Sequence, residues 1–469
     1  MSATPQSVAK EENSFASAFG ISSLVFILVL AVFLHVLGVS LAIFVPLLGA
    51  AVLLWIVVQH PIGALGGFLA FMSVFPMAVI LGEYFGPPTI AWASACSRVV
   101  LVVLICILWS RNGLNLTTPD WFALACVALA LVRLVFGGTL ISLLGDFNCM
   151  IAYAAGRVTV LNANLERRWA TRAVWIVAVL SVLGMTEVFI FGEGPRAMLY
   201  SSVSDLMTTE GGALNAVFHA QGFAGLRESA TMLGPLTFGS LCMIGLILWW
   251  VYCRNPLPGA MIAAGLTCSL TRSAWLGTTL AVPLLAVLMK QRRRFFLYAG
   301  LGLALFIVSI PVLGLGDYLS MAKSGQDYST QGHRESIFDG MEYVLDHPFG
   351  SGAGSVGFYA SAMQNNSYGV FFENTYLTLA AEYGIATGLC FLGFLVSALW
   401  MAWQKRTQLG YSAVGILVGF GAVMMFAPLH LDFPLATWIW FPVGLAVRSS
   451  VALQDREPGS GTAALPVTY

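Results

Sequence analysis

Arginine residues are the first candidates for chemistry in this chain, because only 9% of its residues are charged and 58% are hydrophobic. Arg196, Arg227 and Arg334 lie in polar stretches between long apolar runs. A guanidinium group is planar and matches phosphate oxygens in pairs, so these side chains are candidates for gripping a diphosphate. The alternative is an arginine paired locally in solvent, for example Arg227 with Glu228 or Arg334 with Glu335.

Two acidic residues mark the start of one apolar run. Glu373 stands just before it, and apolar surroundings disfavour the charged form of a carboxyl group, so Glu373 is a candidate general base. The alternative is a place in the first turn of a helix, where acids complement the helix dipole. Glu382 lies deeper, where an acid is costly unless it is paired or faces a cavity.

Arg272 separates two short apolar runs, between Thr271 and Ser273. A charge embedded in a membrane marks a candidate functional site. Hydrogen bonding between helices is the competing explanation. Arg98 and Arg133 are also embedded, and the sequence leaves open whether they pair with an acid or with a lipid phosphate.

An amphipathic helix is predicted after Arg334. Its apolar residues recur at helical spacing, which predicts a helix along the membrane surface with Arg334 in its first turn; they are Ile337, Phe338, Met341, Val344 and Leu345. Pro348 cannot continue a helix and restricts the residue before it, so His347 is interpreted as a helix-end residue rather than a catalyst. The glycine-rich stretch 350–354 favours a tight turn over a phosphate-binding loop, because no strand-to-helix context surrounds it.

Composition identifies the class of protein that holds these residues. The mean hydropathy is +0.84, and the apolar runs divide into roughly 12 to 14 spans, since each crossing needs about 20 residues. The sequence therefore predicts an all-α polytopic membrane protein. Equal numbers of basic and acidic residues, 22 each, give no sign of a nucleic-acid partner. The eight cysteines never have C-x-x-C spacing, which argues against a metal site or a disulfide.

Basic residues predict the orientation, because Lys and Arg near span ends favour the cytoplasm. Placing every basic cluster inside gives two long outer loops and puts both termini inside; the clusters are at 166–172, 254, 290–294, 405–406 and 448. The predicted organisation is a cytoplasmic tail (1–17), an N-terminal bundle (18–192), a first outer loop (193–232), central helices (233–315), a large outer loop (316–372), C-terminal helices (373–448) and a cytoplasmic tail (449–469). The first apolar run, from Ile21, is expected to be retained rather than cleaved as a signal peptide.

Four segments of the chain resemble the O-antigen ligase and O-antigen or exopolysaccharide polymerase family, which are bacterial membrane glycosyltransferases. The resemblance covers roughly residues 225–400 and is patchy before them. Its segments are RESATMLGP at 227–235, LTRSAWLG at 270–277, HPFGSG at 347–352 after the predicted surface helix, and NTYL at 374–377 followed by EYGI at 382–385. Each motif is unspecific alone, but their order and spacing agree.

The resemblance implies a GT-C-like fold and metal-independent, cofactor-free, inverting glycosyl transfer at the periplasmic face of the inner membrane. The donor would be a glycan linked to undecaprenyl diphosphate and the acceptor a second glycan. Arg227 and Arg334 would neutralise the diphosphate, with Glu373 as the catalytic base. The implied substrate-binding residues are Arg272, Asn374, Tyr376, His347 and Glu382, and the outer-loop arginine Arg196 is a further candidate from its charge alone. A chain-length regulator and a flippase would be further partners, in O-antigen (lipopolysaccharide) or exopolysaccharide synthesis.

One departure favours a polymerase over a ligase. Ligases of this family usually carry a histidine directly before the asparagine, and here that position is Glu373. A ligase that transfers glycan to lipid A-core therefore stays an alternative. A secondary transporter or flippase is a second one, because Arg98, Arg133, Arg272 and Asp146 are embedded charges. A third alternative is a non-catalytic partner within a polysaccharide export complex.

Overall fold

The structure is a computed structural model, and it describes residues 59–85, 90–192, 227–232, 234–313, 328–356, 372–427 and 432–454, with single residues at 316 and 320. The chain divides into two compact units, residues 1–65 and 66–469. Of the first unit only residues 59–65 are described, and they form the start of a helix. The contacts below all lie within the second unit.

The described residues form helices and no strand, which confirms the prediction of an all-α polytopic membrane protein. In chain order they are α1 (Pro61–Met72), α2 (Phe75–Phe85), α3 (Ile90–Asn112), α4 (Thr118–Val135), α5 (Leu140–Asp146), α6 (Asn148–Val158), α7 (Ala163–Thr186), α8 (Pro235–Tyr252), α9 (Pro256–Cys268), α10 (Arg272–Leu288), α11 (Arg292–Leu313), α12 (Tyr328–Asp346), α13 (Thr375–Tyr383), α14 (Ile385–Lys405), α15 (Gln408–Val423) and α16 (Phe433–Gln454). A π-helical turn, Glu187–Phe191, extends α7.

Four helices of the described residues are long and apolar enough to cross a membrane, and the bent pair α1 and α2 would make a fifth. The four are α4, α7 with its π turn, α8 and α14. The sequence-based count of roughly 12 to 14 spans stays a prediction. The two predicted spans before residue 59 lie outside the described residues.

Several predicted spans have different ends or are broken. Helix α7 begins at Ala163, so the basic residues 166–172 lie inside the helix rather than before it. The apolar run 139–158 forms two short helices, α5 and α6, rather than one continuous helix. The apolar run 375–402 is interrupted at Gly384, whose φ of +93° no helical residue adopts.

Helix α8 lies at the centre of the bundle, and 94% of its residues are buried. Small residues let its neighbours approach closely. A Cβ atom on Gly239 would lie 2.8 Å from Ser269 Oγ, and one on Gly245 would lie 2.8 Å from Val177 Cγ1. Inside a bilayer, contacts of this kind are stabilised by dispersion and complementary shape rather than by the hydrophobic effect.

The basic clusters lie at one end of the bundle, as the hydrogen bonds around them show. Arg294 donates to the carbonyls of Trp250 at 3.1 Å and Cys253 at 2.7 Å. Tyr252 donates to Glu166 at 2.6 Å, and Gln408 to the Val251 carbonyl at 3.4 Å. We call this the basic end.

The opposite end carries the other helix termini. There α7 finishes, α8 begins after the 227–234 segment, and the turn 268–271 joins α9 to α10. Helix α15 also finishes there, and α13 and α16 begin there. Thr375 N donates to the Met424 carbonyl at 2.9 Å, which ties the α13 start to the α15 end.

Candidate functional site

Arg227 lies on the turn between α9 and α10, at the opposite end of the bundle from the basic clusters. Its Nε atom donates to the Ser269 carbonyl at 3.1 Å, and Glu228 N donates to the Cys268 carbonyl at 3.0 Å. The Thr271 hydroxyl donates to the Pro235 carbonyl at 2.9 Å. These bonds fix Arg227, Glu228 and Pro235 against the turn.

Arg272 is the first residue of α10 and leaves the same turn, partly buried. The turn is tight, since Leu270 has a φ of +51°, and Ala230 in the opposing segment has a φ of +47°. Positive φ costs a non-glycine residue energy and persists where surrounding contacts over-determine it. The structure thus places Arg272 close in the chain to the turn that holds Arg227, at the N-terminus of a helix, where backbone N–H groups favour anions.

Glu228 is buried completely beside Arg227, but its carboxylate does not form the local pair that the sequence offered as an alternative. Neither carboxylate oxygen has a hydrogen-bond partner among the described residues. The side chain packs on Gly184, where a Cβ atom would lie 2.3 Å from Glu228 Oε1. Burial, with a contribution from nearby Glu187, raises the pKa of Glu228 to about 9.

Polar contacts continue from this turn to the start of α16. Asp432 caps that helix, because its Oδ1 atom accepts from Leu435 N at 3.0 Å. Its Oδ2 atom accepts from the Thr237 hydroxyl at 2.9 Å. Arg98 stacks over the Phe433 ring and donates to Asn148 Oδ1 at 2.8 Å, so it bonds an amide there.

Asn374 is the N-cap of α13. Its Oδ1 atom accepts from Tyr376 N at 2.9 Å and from Leu377 N at 3.1 Å, and its Nδ2 atom donates to the Met425 carbonyl at 3.1 Å. An N-cap oxygen satisfies N–H groups that have no partner within the helix. The capping role that was the alternative for Glu373 thus belongs to Asn374.

Glu373 instead contacts a histidine from the surface helix. Its Oε2 atom contacts Nδ1 of His333 in α12, and its backbone N–H donates to Ser336 Oγ at 2.8 Å. The two side chains are partly exposed, at 35% for Glu373 and 27% for His333. His333 carried no sequence signal, because only the fold brings positions 333 and 373 together.

Arg334 follows His333 in α12 but is exposed and stacks over Phe338, with 5.9 Å from its Cζ atom to the ring centre. The helix begins at Tyr328, so Arg334 lies in its second turn rather than in the predicted first turn. Successive helical residues point about 100° apart. Arg334 and His333 therefore face different directions.

His347 follows the end of α12, as predicted from Pro348. The imidazole is exposed, stacks on Tyr343 at 4.3 Å and lies 3.1 Å from the Tyr343 carbonyl through Nδ1. The helix therefore ends at Asp346 with His347 folded back on its last turn.

The glycine stretch after His347 forms a turn that fills the break between α13 and α14. Gly352 N donates to the Glu382 carbonyl at 2.9 Å, and Ile385 N donates to the Pro348 carbonyl at 3.0 Å. Ala353 pairs with Gly138, and its carbonyl accepts from Thr139 N at 3.2 Å. The loop thus completes backbone hydrogen bonds that the helix break leaves open.

Glu382 is buried under this loop, in contact with the carboxyl of Asp146 and with the backbone N–H groups of Gly354 and Val356. The Tyr383 hydroxyl donates to Asp146 Oδ2 at 2.5 Å. These contacts hold the loop in the break.

Two further predicted site residues have different outcomes. Tyr376 is partly buried in α13 and its hydroxyl donates to the Gly421 carbonyl at 3.0 Å, so it ties α13 to α15. Arg196 lies outside the described residues. Within the described residues, no group of three or more His, Cys, Asp or Glu side chains could hold a metal ion.

Taken together, the helices and the site define a multi-pass, all-α membrane protein with polar chemistry concentrated at one end of its bundle. Residues 257–392 match the model of a family described as O-antigen ligase. The matched region contains Arg272, His333 and Glu373, while Arg227 precedes it. No curated protein matches the chain.

Proposed function

We propose that this protein is a polysaccharide polymerase that joins glycan repeat units carried on undecaprenyl diphosphate. The observation that carries the proposal is the arrangement of Arg227 and Arg272 on one turn, at the end opposite the basic clusters, within or beside the matched domain. A site at the outer face suits a lipid-linked donor. The basic end is then cytoplasmic, the site periplasmic and the membrane the bacterial inner membrane.

The reaction is a single displacement at the anomeric carbon of the donor sugar. The acceptor hydroxyl oxygen forms the new bond as the bond to the diphosphate oxygen breaks, so the configuration inverts and undecaprenyl diphosphate leaves. Negative charge grows on that leaving group in the transition state. Arg227 is held on the turn by its bond to the Ser269 carbonyl, and Arg272 begins the helix that leaves the same turn, so both charges are in place before the reaction to stabilise the leaving group. Glu373 accepts the proton of the acceptor hydroxyl.

Other predicted site residues act through position rather than through contact with the sugar. Asn374 and Tyr376 use their polar groups to hold α13, and Glu382 holds the glycine loop. Arg334 is exposed, so it reaches a phosphate only from outside the bundle. Its proposed role is to engage the donor diphosphate as it enters from the lipid.

A ligase that transfers the glycan to lipid A-core is the second candidate, because the matching family model is itself described as O-antigen ligase. Glu373, where ligases usually carry histidine, favours the polymerase. A chain-length regulator and a flippase are the proposed protein partners of a polymerase.

The test uses purified protein in liposomes with a lipid-diphosphate-linked repeat unit and no nucleotide sugar, and products are separated by size. A ladder of lengthening glycans is the expected result. Transfer that occurs only after a lipid A-core acceptor is added would replace the polymerase by the ligase. No transfer to either acceptor, with movement of the donor across the membrane, would favour a flippase.

A further inference from the structure

A surface pocket of about 670 Å³ lies at the basic end, where α10 ends and α11 begins. The residues that line it are Val287, Lys290, Gln291, Arg292, Arg293 and Arg294. Four of these six residues are basic and none is acidic. The proposed glycosyl transfer takes place at the opposite end of the bundle, so it makes no use of this pocket.

The backbone around the pocket is fixed by contacts within the protein. Arg294 is partly buried, donates to Gln291 Oε1 at 3.1 Å and binds two carbonyl groups near the end of α8. Its guanidinium group lies over the Trp250 ring, with 4.7 Å from its Cζ atom to the ring centre. The chain turns tightly just before α11, because Lys290 has a φ of +55° and Gln291 N donates to the Ala286 carbonyl at 2.8 Å. Arg294 is therefore occupied by the protein, and it holds the first turn of α11 in place.

Lys290, Arg292 and Arg293 supply the positive charge that faces a ligand. All three are exposed, and their side chains form no hydrogen bond or ion pair in the part of the chain that the structure describes. Like charges around one pocket repel one another, and an anion between them relieves that repulsion. A guanidinium group also matches the oxygens of a phosphate in pairs. The pocket is thus suited to a phosphate-bearing anion.

Apolar side chains adjoin these charges and indicate what kind of molecule carries the phosphate. Val287 lines the pocket and is exposed. Phe296 follows Arg292 by four residues, which places both on one face of α11. Leu297 follows Arg293 at the same spacing, and both apolar side chains are exposed. A free phosphate would bind the charges and leave these side chains uncovered, whereas a phospholipid covers both.

We propose that this pocket binds the headgroup of an anionic phospholipid of the surrounding membrane, such as phosphatidylglycerol. The phosphate lies among Lys290, Arg292 and Arg293, and the acyl chains run along the exposed apolar face of α11. Basic pockets between membrane helices bind anionic headgroups in this manner. The preference for basic residues near span ends requires only their charge. It does not account for a pocket whose backbone is held by Arg294.

Native mass spectrometry of the full chain, purified in detergent and mixed with phosphatidylglycerol, measures this binding. The variant Lys290→Gln/Arg292→Gln/Arg293→Gln should bind the lipid about 10²-fold more weakly than the wild type, because each basic residue near an anionic headgroup contributes roughly fivefold. Phosphatidylcholine, whose headgroup has no net charge, should bind weakly and equally to both proteins. Inorganic phosphate should not displace phosphatidylglycerol, since it makes none of the apolar contacts.

The matched control is Arg167→Gln/Arg168→Gln/Arg172→Gln, which removes three exposed arginines of α7 at the same end of the bundle. It should keep the wild-type affinity for phosphatidylglycerol, because these arginines do not line the pocket. Thermal unfolding without added lipid checks that each variant is folded. Where the triple variant of the pocket is not folded, Arg293→Gln alone should weaken binding by roughly fivefold.

Three results would overturn the proposal. An equal loss of affinity in the two triple variants would show that binding follows the total charge of the basic end rather than the pocket. Wild-type affinity in the folded pocket variant would place the lipid elsewhere. Displacement of phosphatidylglycerol by inorganic phosphate would make the occupant a free anion instead of a lipid.

Discussion

Arg227 and Glu228 are neighbours in the chain with opposite environments. The guanidinium is partly buried on the 268–271 turn, while the carboxyl is completely buried against Gly184. A pKa of about 9 keeps Glu228 neutral at physiological pH. A neutral Glu228 therefore does not neutralise the guanidinium beside it. The sequence left an ion pair between these two residues open as an alternative, and such a pair would have neutralised that charge.

The buried carboxyl makes stability depend on pH. Its folded-state pKa lies above the ordinary value of 4.5, so between those two values the folded state holds a proton that the unfolded state releases. Stability therefore falls as pH rises through this window and is unaffected below it. Glu228→Gln should raise the melting temperature at pH 8, with the gain shrinking towards pH 5. Thermal unfolding in detergent measures this.

Glu342→Gln, at an exposed acid on α12, is the control for that comparison. It should leave the melting temperature unchanged at both pH values. A melting temperature of Glu228→Gln below the wild type at pH 8 would show that the carboxylate is charged and paired.

A second prediction at the scale of one residue concerns Asn374, the N-cap of α13. Asn374→Ala removes the cap of α13 and the bond to Met425, which should cost about 1 kcal/mol of stability. Thr407→Ala removes the cap of α15 at the basic end, where Thr407 Oγ1 accepts from Gly410 N at 3.1 Å. Both variants should melt earlier, but only Asn374→Ala should also lower the transfer rate, since Glu373 is attached to that cap. Equal activity in the two variants would separate Asn374 from the site.

Helix α12 shows what sequence patterns predict well. Its apolar spacing predicted a helix, and Pro348 predicted its end at Asp346, because both signals are local. The break between α13 and α14 was missed. An apolar run continues across Tyr383 and Ile385 without a proline, and only the docked loop reveals why Gly384 must leave the helix. The contact of His333 with Glu373 is equally non-local.

The docked loop allows a sharp test of that break. Gly350 has a φ of +81°, and a Cβ atom there would lie 2.5 Å from the Glu382 carbonyl oxygen. Gly350→Ala should therefore destabilise the protein by about 1 to 3 kcal/mol. Gly332→Ala, in α12 with no atom within 4 Å of the new methyl group, should be neutral or stabilising. Thermal unfolding compares the two, and equal melting temperatures would show that the loop is not docked as described.

Helix α12 also has an exposed apolar stripe. Phe338, Met341 and Leu345 lie on one side of the helix and are 52–71% exposed. Phe349 continues the stripe to the start of α14, whose own exposed leucines face outward. Four acids lie on the neighbouring side of α12, namely Glu335, Asp339, Glu342 and Asp346. We propose that the apolar stripe lies in the outer leaflet and the acidic side in water, as the sequence predicted for a surface helix.

Cysteine labelling in liposomes tests this placement. Leu345→Cys and Glu342→Cys stand one turn apart and are both exposed in the protein. A membrane-impermeant maleimide should add mass at Glu342→Cys and not at Leu345→Cys, while both should react after denaturation in detergent. Equal labelling in liposomes would put the stripe in water. Labelling in liposomes with protection in native membranes would assign the stripe to a protein partner.

The two ends of the described helix bundle carry different groups of side chains. Basic side chains bond helix termini at one end, where Arg448 donates to the Gly113 carbonyl at 2.7 Å and to the Arg157 carbonyl at 3.0 Å. The Arg227 turn, Arg272 and the contact of His333 with Glu373 lie at the other end. The positions of basic clusters predicted this polarity from sequence, because charge near span ends is a local signal. Which residues meet at the site depended on helix packing and could not be predicted in that way.

The most direct measurement compares arginines at the two ends in the lipid-linked transfer assay. Arg227→Gln and Arg272→Gln should each lower the rate by at least about 10²-fold, because each removes a charge that stabilises the leaving diphosphate. Arg254→Gln, an exposed arginine at the basic end, should retain the wild-type rate. Wild-type transfer by both Arg227→Gln and Arg272→Gln would contradict a diphosphate site at this end of the bundle.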